Sequence, residues 1–359
     1  MKEDSSVVEK IPRKNIDRND KAFNSALKTP VPKEKSLILE PFLGKNVELV
    51  KLLFSRGEAF DSQGFITFFT DTPVYQFGNF EVCFDRESIK KSADNFFSQI
   101  DAVYHEIKMI WELGDLVFVE MDVIYWRKDG SVVSLPCCNI FRVEGDKFSE
   151  LKIFMDVNPV FEPSIPVPDS ASVFSVSQRK RLISPDIMKK HFAEDPEAKQ
   201  RIETGFAPKW LLNGHNFSQQ NSTSSVSQLN LVMEMQTAAT KQDWNYFQTF
   251  FLEDVYFKVG ASQELRGCRN IIDYLTWLYD IAEPNLPFEF RDTWELEDTV
   301  IVEMDAKYIR RSDSKSISFP WTHIVRFKDN KIREWRSYTD QSELWMNEIS
   351  KLHGPRTFR

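Results

Sequence analysis

The stretch 111–125 returns at 294–308, with ten of fifteen positions identical at a constant spacing of 183. Trp111, Glu112, Leu113 and Asp115 reappear as Trp294, Glu295, Leu296 and Asp298. Glu120, Met121, Asp122 and Tyr125 reappear as Glu303, Met304, Asp305 and Tyr308. Upstream, at a spacing of 182, Asp61, Phe65, Phe68, Phe69, Gly78 and Ile89 match Asp243, Phe247, Phe250, Phe251, Gly260 and Ile271. Downstream, at 184, Pro136, Ile140, Arg142, Lys147, Glu150 and Asp156 match Pro320, Ile324, Arg326, Lys331, Glu334 and Asp340. A register this long means two copies of one domain, and the spacing drifts only where a loop gains a residue.

The expected units are therefore 44–162 and 226–348. Residues 1–43 read as a disordered tail, rich in Lys, Asp, Asn, Ser and Pro. Residues 163–225 read as a linker, because Pro163, Pro166 and Pro168 precede a serine-rich run. Ser184-Pro185-Asp186 has the form of a helix start, which predicts a helix near 185–204 within the linker. Residues 349–359 form a C-terminal tail.

Within each unit helical spacing comes first and strand alternation follows. Val47, Val50 and Phe54, then Leu231, Met235 and Ala238, carry the first helices. Further helices are expected at about 86–100 and 268–280. His105, Ile107, Met109 and Trp111 alternate onto one strand face, as do Val117, Val119, Met121, Val123 and Tyr125. Helices followed by long strands joined at short turns predict an α+β fold, two tandem cones, each a curved antiparallel sheet backed by N-terminal helices.

The closing run of the second unit, Phe327 to Asp340, contains a turn, Lys331-Ile332, the acidic Glu334, the aromatics Trp335 and Tyr338, and a final Asp. It resembles the terminal strand pair of SnoaL-like proteins, a branch of the nuclear-transport-factor-2-like cone fold. Glu144 through Asp156 is a looser form in the first unit. The resemblance covers both units. It implies polyketide cyclase, isomerase, dehydratase or epoxide hydrolase chemistry, or no catalysis, because one fold hosts them all.

Net charge is −8, and the tail and linker are net basic, so the folded units hold the negative excess. That argues against nucleic acid and anionic membrane as partners. No apolar run reaches membrane-spanning length, and nothing apolar follows Met1 as in a secretory signal. Cys83, Cys137, Cys138 and Cys268 form no Cys-x-x-Cys pair and read as free thiols of a cytoplasmic protein. Dinucleotide, P-loop and nucleophile-elbow motifs are absent, and the five histidines lack metal-ligand spacing. Neither cofactor nor metal is expected.

The remaining route to chemistry is cofactor-independent acid/base catalysis on a hydrophobic carbonyl compound in an aromatic cone. Thirty phenylalanines suit either such a pocket or a plain core. The resemblance places a catalytic carboxylate near Asp340; His323 reads as its acid/base partner, and Tyr338, on the face of Asp340, as the group holding the substrate oxygen. Trp321 and Phe327 would wall the pocket. Each candidate also has a structural reading: a core histidine, a strand-end carboxylate, a packed ring. Secondary candidates are His105, which has Phe288 as counterpart, Asp156, Asp305 and Arg336. Glu120 with Asp122, and Glu303 with Asp305, read as pocket carboxylates, a solvated face or a contact between repeats. Tyr125 and Tyr308 read as core residues or phenol donors. The alternatives to catalysis by isomerisation are a binding or assembly module, and epoxide or dehydratase-like water chemistry. The two units are expected to pack as an intramolecular pseudo-dimer.

Overall fold

The computed structural model describes residues 44–129, 132–161, 181–183, 227–262, 264–285, 288–296 and 298–344. The expected tails, and the helix near 185–204, lie outside the described residues. Unit one runs α1 (Lys45–Glu58), α2 (Ser62–Ile66), β1 (Phe69–Phe77), α3 (Arg86–Ser98), β2 (Ile100–Leu113), β3 (Leu116–Arg127), β4 (Val132–Glu144), β5 (Lys147–Phe154) and α4 (Asn158–Phe161). A short strand from the expected linker, β6 (Arg181–Ile183), pairs with β4. Unit two repeats the order: α5 (Gln228–Thr240), α6 (Trp244–Phe247), β7 (Phe251–Val259), β8 (Leu265–Arg266), α7 (Cys268–Ile281), β9 (Ala282–Pro284), β10 (Glu289–Leu296), β11 (Thr299–Arg310), β12 (Ser316–Lys328) and β13 (Lys331–Tyr338).

Both units are α+β, and each sheet is mostly antiparallel. The first has strand order β1-β5-β4-β3-β2, the second β10-β11-β12-β13-β7-β8. The expectation of a wholly antiparallel sheet needs one correction. The first strand of each unit pairs in parallel with the last, β1 with β5 and β7 with β13. The helix between the first strand and the meander supplies the crossover that a parallel pair requires.

The repeated residues build the same local devices twice. Asp61 and Asp243 cap α2 and α6 by accepting from the backbone N–H of Gly64 and Tyr246. Just before them, Phe60 and Gln242 both take φ of 55°, the left-handed turn that lets one helix end and the next begin. Glu112, on β2, accepts from Val47 N at the start of α1; Glu295, on β10, does the same for Gln228 N of α5. A strand carboxylate thus satisfies orphan N–H groups and complements the helix dipole. Arg127 and Arg310 each donate to the backbone carbonyl of a residue just beyond the last strand, Pro159 and Glu343.

Each sheet has two covered faces. The concave faces close over the helices as separate cores around Val119, Phe141 and Phe148 in unit one and Val302, Trp335 and Phe257 in unit two. A third apolar cluster joins the outer faces of both sheets: Leu113, Phe118 and Ile140 with Trp294, Ile301 and Ile324. Contacts run crosswise, β5 against β12 and β4 against β13. The register in β2 shifts between Ile107 and Met109. That irregularity corrects the alternation expected from the sequence. His105 and Ile107 face the concave side, whereas Trp111 packs on the outer cluster with its counterpart Trp294.

Candidate functional site

Unit one encloses a cavity of about 80 Å³ beneath α1 and α3, on the concave face of its sheet. Its walls are almost wholly apolar, with Phe54, Phe65, Phe77 and Phe96 among them. The residues in its lining that carry polar groups are His105, Asn139, Tyr75, Tyr125, Ser92 and Cys137.

His105 is the best-organised of these. The Glu58 carboxylate at the end of α1 lies 3.0 Å from Nδ1 and also accepts from the His105 backbone N–H at 2.8 Å. Its side chain is only 5% exposed. A carboxylate only accepts, so Nδ1 carries the hydrogen and Nε2 is left as the basic nitrogen. Nε2 makes no hydrogen bond to the described residues. Phe54 stacks on the imidazole, with ring centres 4.3 Å apart and planes within 7°, so the ring is fixed on its face as well as its edge.

Tyr125 sits on β3, two residues along from Val123, the cross-strand partner of His105. Its ring is therefore a diagonal neighbour of His105 on the same face. Among the described residues its hydroxyl donates only to Met155 Sδ, at 3.5 Å, a weak acceptor that a better one would displace. Burial holds the phenol well above its ordinary pKa, so it serves as a donor rather than a base. On β4, the Cys137 thiol donates to Oδ1 of the buried Asn139 at 3.2 Å, which occupies the amide oxygen and leaves its NH₂ as the donor for a ligand. Burial raises the Cys137 pKa too, so it stays a thiol.

The residues put forward from the sequence in unit two go elsewhere. His323 is buried on the concave side, as expected, but its Nδ1 accepts from Trp335 Nε1–H at 2.9 Å and lies 2.8 Å from Ser337 Oγ. Burial depresses its pKa to about 3, so it remains neutral. Trp321 and Phe327 belong to the packed core beside it. Tyr338 and Arg336 face the other way: β13 turns Trp335 inward and these two outward. Tyr338 donates to Glu120 of unit one, which also meets Arg326 and, at 3.3 Å, Arg336. Asp340 accepts from Asn158 Nδ2 of unit one at 2.8 Å, from Ser342 N at 3.0 Å and from the Ser342 hydroxyl. Asp156 shares the same Asn158 amide, at 2.9 Å. Asp305 pairs with Arg291 at 2.8 Å on the outer face.

The expected grouping of Asp340, His323 and Tyr338 about one pocket is thus corrected. Alternation placed Tyr338 and His323 on one side only if both strands kept a single register, but the β12–β13 ladder shifts at Arg326. Of the residues proposed from the sequence, His105 and Tyr125 line the cavity. Glu58 was missed. Its signal was available: Glu58 and His105 correspond to Thr240 and Phe288, so the acidic residue and the histidine are both replaced in the other copy. An acid in the last turn of a helix also opposes the dipole, which marks it for a tertiary partner.

The model of the SnoaL-like domain matches at residues 50–151 and again at 232–335, more than half of the chain. The chain belongs to the SnoaL-like domain family. No curated protein matches it. Solved structures similar to single units include a protein of ketosteroid isomerase-like fold from Catenulispora acidiphila, crystallised with trimethylamine. It is 17% identical, with 32% of this chain and 89% of that one covered and a TM-score of 0.30. An uncharacterised cystatin-fold protein from Novosphingobium aromaticivorans is 22% identical over 30% of this chain and 96% of its own, with a TM-score of 0.28. An LEH-like epoxide hydrolase of M. tuberculosis is 15% identical over 33% and 86%, with a TM-score of 0.29. No helix among the described SnoaL-like residues is long and apolar enough to cross a membrane.

Proposed function

We propose that unit one is an acid/base catalyst for a small hydrophobic carbonyl compound, and that unit two is its built-in structural partner. One observation carries this reading: an apolar cavity holds a histidine whose Nδ1 is locked by a buried carboxylate. In this mechanism Nε2 of His105 takes a proton from the carbon next to the carbonyl. The electron pair of that C–H bond moves to the carbonyl oxygen, and the Tyr125 hydroxyl, with the Asn139 amide, donates to the enolate. Glu58 stabilises the imidazolium. The proton returns at the same or a conjugated carbon, so the net change is exchange or isomerisation and needs no cofactor. The crosswise contact of matching strands supports unit two as the second half of an intramolecular pseudo-dimer, a twofold-like pairing within one chain.

The test needs no knowledge of the natural substrate. Cyclohex-2-enone is incubated with the protein in D₂O, and deuterium uptake beside and conjugated to the carbonyl is followed by NMR. The wild type accelerates uptake. His105→Ala and Glu58→Gln lower that acceleration by roughly 10²-fold or more, the usual share of a positioned general base. Asp340→Asn retains it. Loss in Asp340→Asn together with full activity in His105→Ala would move the site back to unit two.

A further inference from the structure

The composition and size of the cavity wall limit what the site accepts, provided unit one's cavity is the working site. None of its lining residues is Lys, Arg, Asp or Glu. The one carboxylate nearby, Glu58, stands behind His105 and is engaged by it. An anionic ligand would leave water for a wall without Lys or Arg, where the single imidazole of His105 already faces a buried carboxylate. A cationic ligand would find aromatic faces but no free counter-charge. Burying an unpaired charge is costly on either sign, whereas a neutral oxygen is met by the Tyr125 hydroxyl and the Asn139 amide.

Size gives the second limit. One water needs roughly 10–15 Å³ of such space, so the 80 Å³ cavity has room for about six waters with the walls as they stand, the scale of one small ring and not of a fused ring system. A single six-membered ring matches that scale. Ser92 and Phe97 of α3 are partly exposed members of the lining, and Phe60 stacks on Phe97 at 4.8 Å.

The bulk of the wall residues decides this size. In unit two the positions matching the wall residues Cys137, Asn139 and Leu151 are Trp321, His323 and Trp335, larger at each place and packed on one another. The same cone is thus opened or filled by a handful of side chains on β4 and β5.

We infer that the SnoaL-like cone of unit one selects an uncharged, single-ring carbonyl ligand, with its oxygen directed at Tyr125 and Asn139 and the ring stacked among Phe54, Phe77 and Phe96.

Four probes separate the limits: benzaldehyde, benzoate, benzylamine and 9-anthraldehyde, titrated calorimetrically into the full chain at pH 8. Benzaldehyde is expected to bind at least tenfold more tightly than any of the other three. Cys137→Trp and Leu151→Trp, each importing the residue of unit two, should abolish that binding. Two such variants are used so that misfolding of one, read by circular dichroism, leaves the other to decide. Benzoate, benzylamine or the three-ring aldehyde binding as tightly as benzaldehyde, and lost in the same variants, overturns the selectivity while leaving the pocket in place. Binding of benzaldehyde that both folded Trp variants retain overturns the location, and absence of binding by all four probes overturns the reading of the cavity as a ligand site.

Discussion

At the position opposite Met121, unit one has Cys137; at the position opposite Met304, unit two has Trp321. The two units share their caps, their turns and the paired outer faces, yet differ where the cone interior is lined. The difference teaches which residues the fold needs and which it leaves free. Glu112 and Glu295, Asp61 and Asp243, Gly78 and Gly260, Arg127 and Arg310 each do one backbone job in both copies. They satisfy helix N–H groups, set a left-handed turn, or hold the segment after the last strand. Interior side chains need only fill volume, so one copy can exchange bulk for a cavity and a histidine without losing the architecture.

The ionic contacts across the outer faces are unequal too, and they offer the largest effect. Glu120 of unit one is met by Arg326, Arg336 and Tyr338 of unit two. Its counterpart Glu303 is met by Lys152 at 2.8 Å and by Arg291 at 3.7 Å. Burial raises the pKa of Glu303, so protonation can relieve it when a partner is lost. Glu120→Ala leaves the buried Arg326 and the half-buried Arg336 with Glu334 alone to share between them, and should cost about 3 kcal/mol in urea unfolding. Glu303→Ala should cost clearly less. Equal losses would mean that the two faces share the load evenly.

Filling and emptying the cones sharpens the comparison next. Trp321→Cys makes unit two resemble unit one, and removing so large a buried side chain should lower stability by about 3–4 kcal/mol. It should also create a benzaldehyde site in unit two, visible as a second binding event. If stability falls without new binding, the neighbouring rings have collapsed into the space.

The third contrast is in pH. The folded-state pKa of His323 is about 3, below its ordinary 6.5. Below pH 6.5 the unfolded chain takes up a proton that the folded unit refuses. Stability should therefore fall as pH drops from about 6.5 toward 3, by up to about 1.4 kcal/mol per pH unit from this group. His323→Asn, which installs the residue of unit one, should flatten that part of the urea-midpoint profile. Profiles of equal slope would show that the imidazole is protonated inside the fold.

The smallest effect concerns the glycine after the first strand of each unit. Gly260 has φ of +46°, and a Cβ there would lie 2.9 Å from Thr339 O; Gly78 has φ of +53° and 3.4 Å to Met155 O. Both replacements by alanine carry left-handed strain of about 1 kcal/mol, and Gly260→Ala adds a backbone clash. Thermal melting should rank Gly260→Ala below Gly78→Ala.

The sequence by itself determined that there are two copies of one α+β unit, where each begins its helices and strands, and that a SnoaL-like cone was the fold. Those facts are local or periodic: a repeat register, a capping Asp, an alternation of apolar residues. Even the residues that join the units were written in the most faithfully repeated stretch, from Trp111 and Trp294 to Glu120 and Glu303, where a contact between repeats stood as one of three readings of the carboxylates. Tertiary structure alone decided which cone is open, because a cavity is the difference between the volume a sheet encloses and the volume its side chains fill. It also decided that Asp340 and Tyr338 serve the contact between units. Shifts in strand register, at Ile107 and at Arg326, change which face the next side chains take. The pairing of Glu58 with His105, 47 residues apart, exists only once α1 lies across β2.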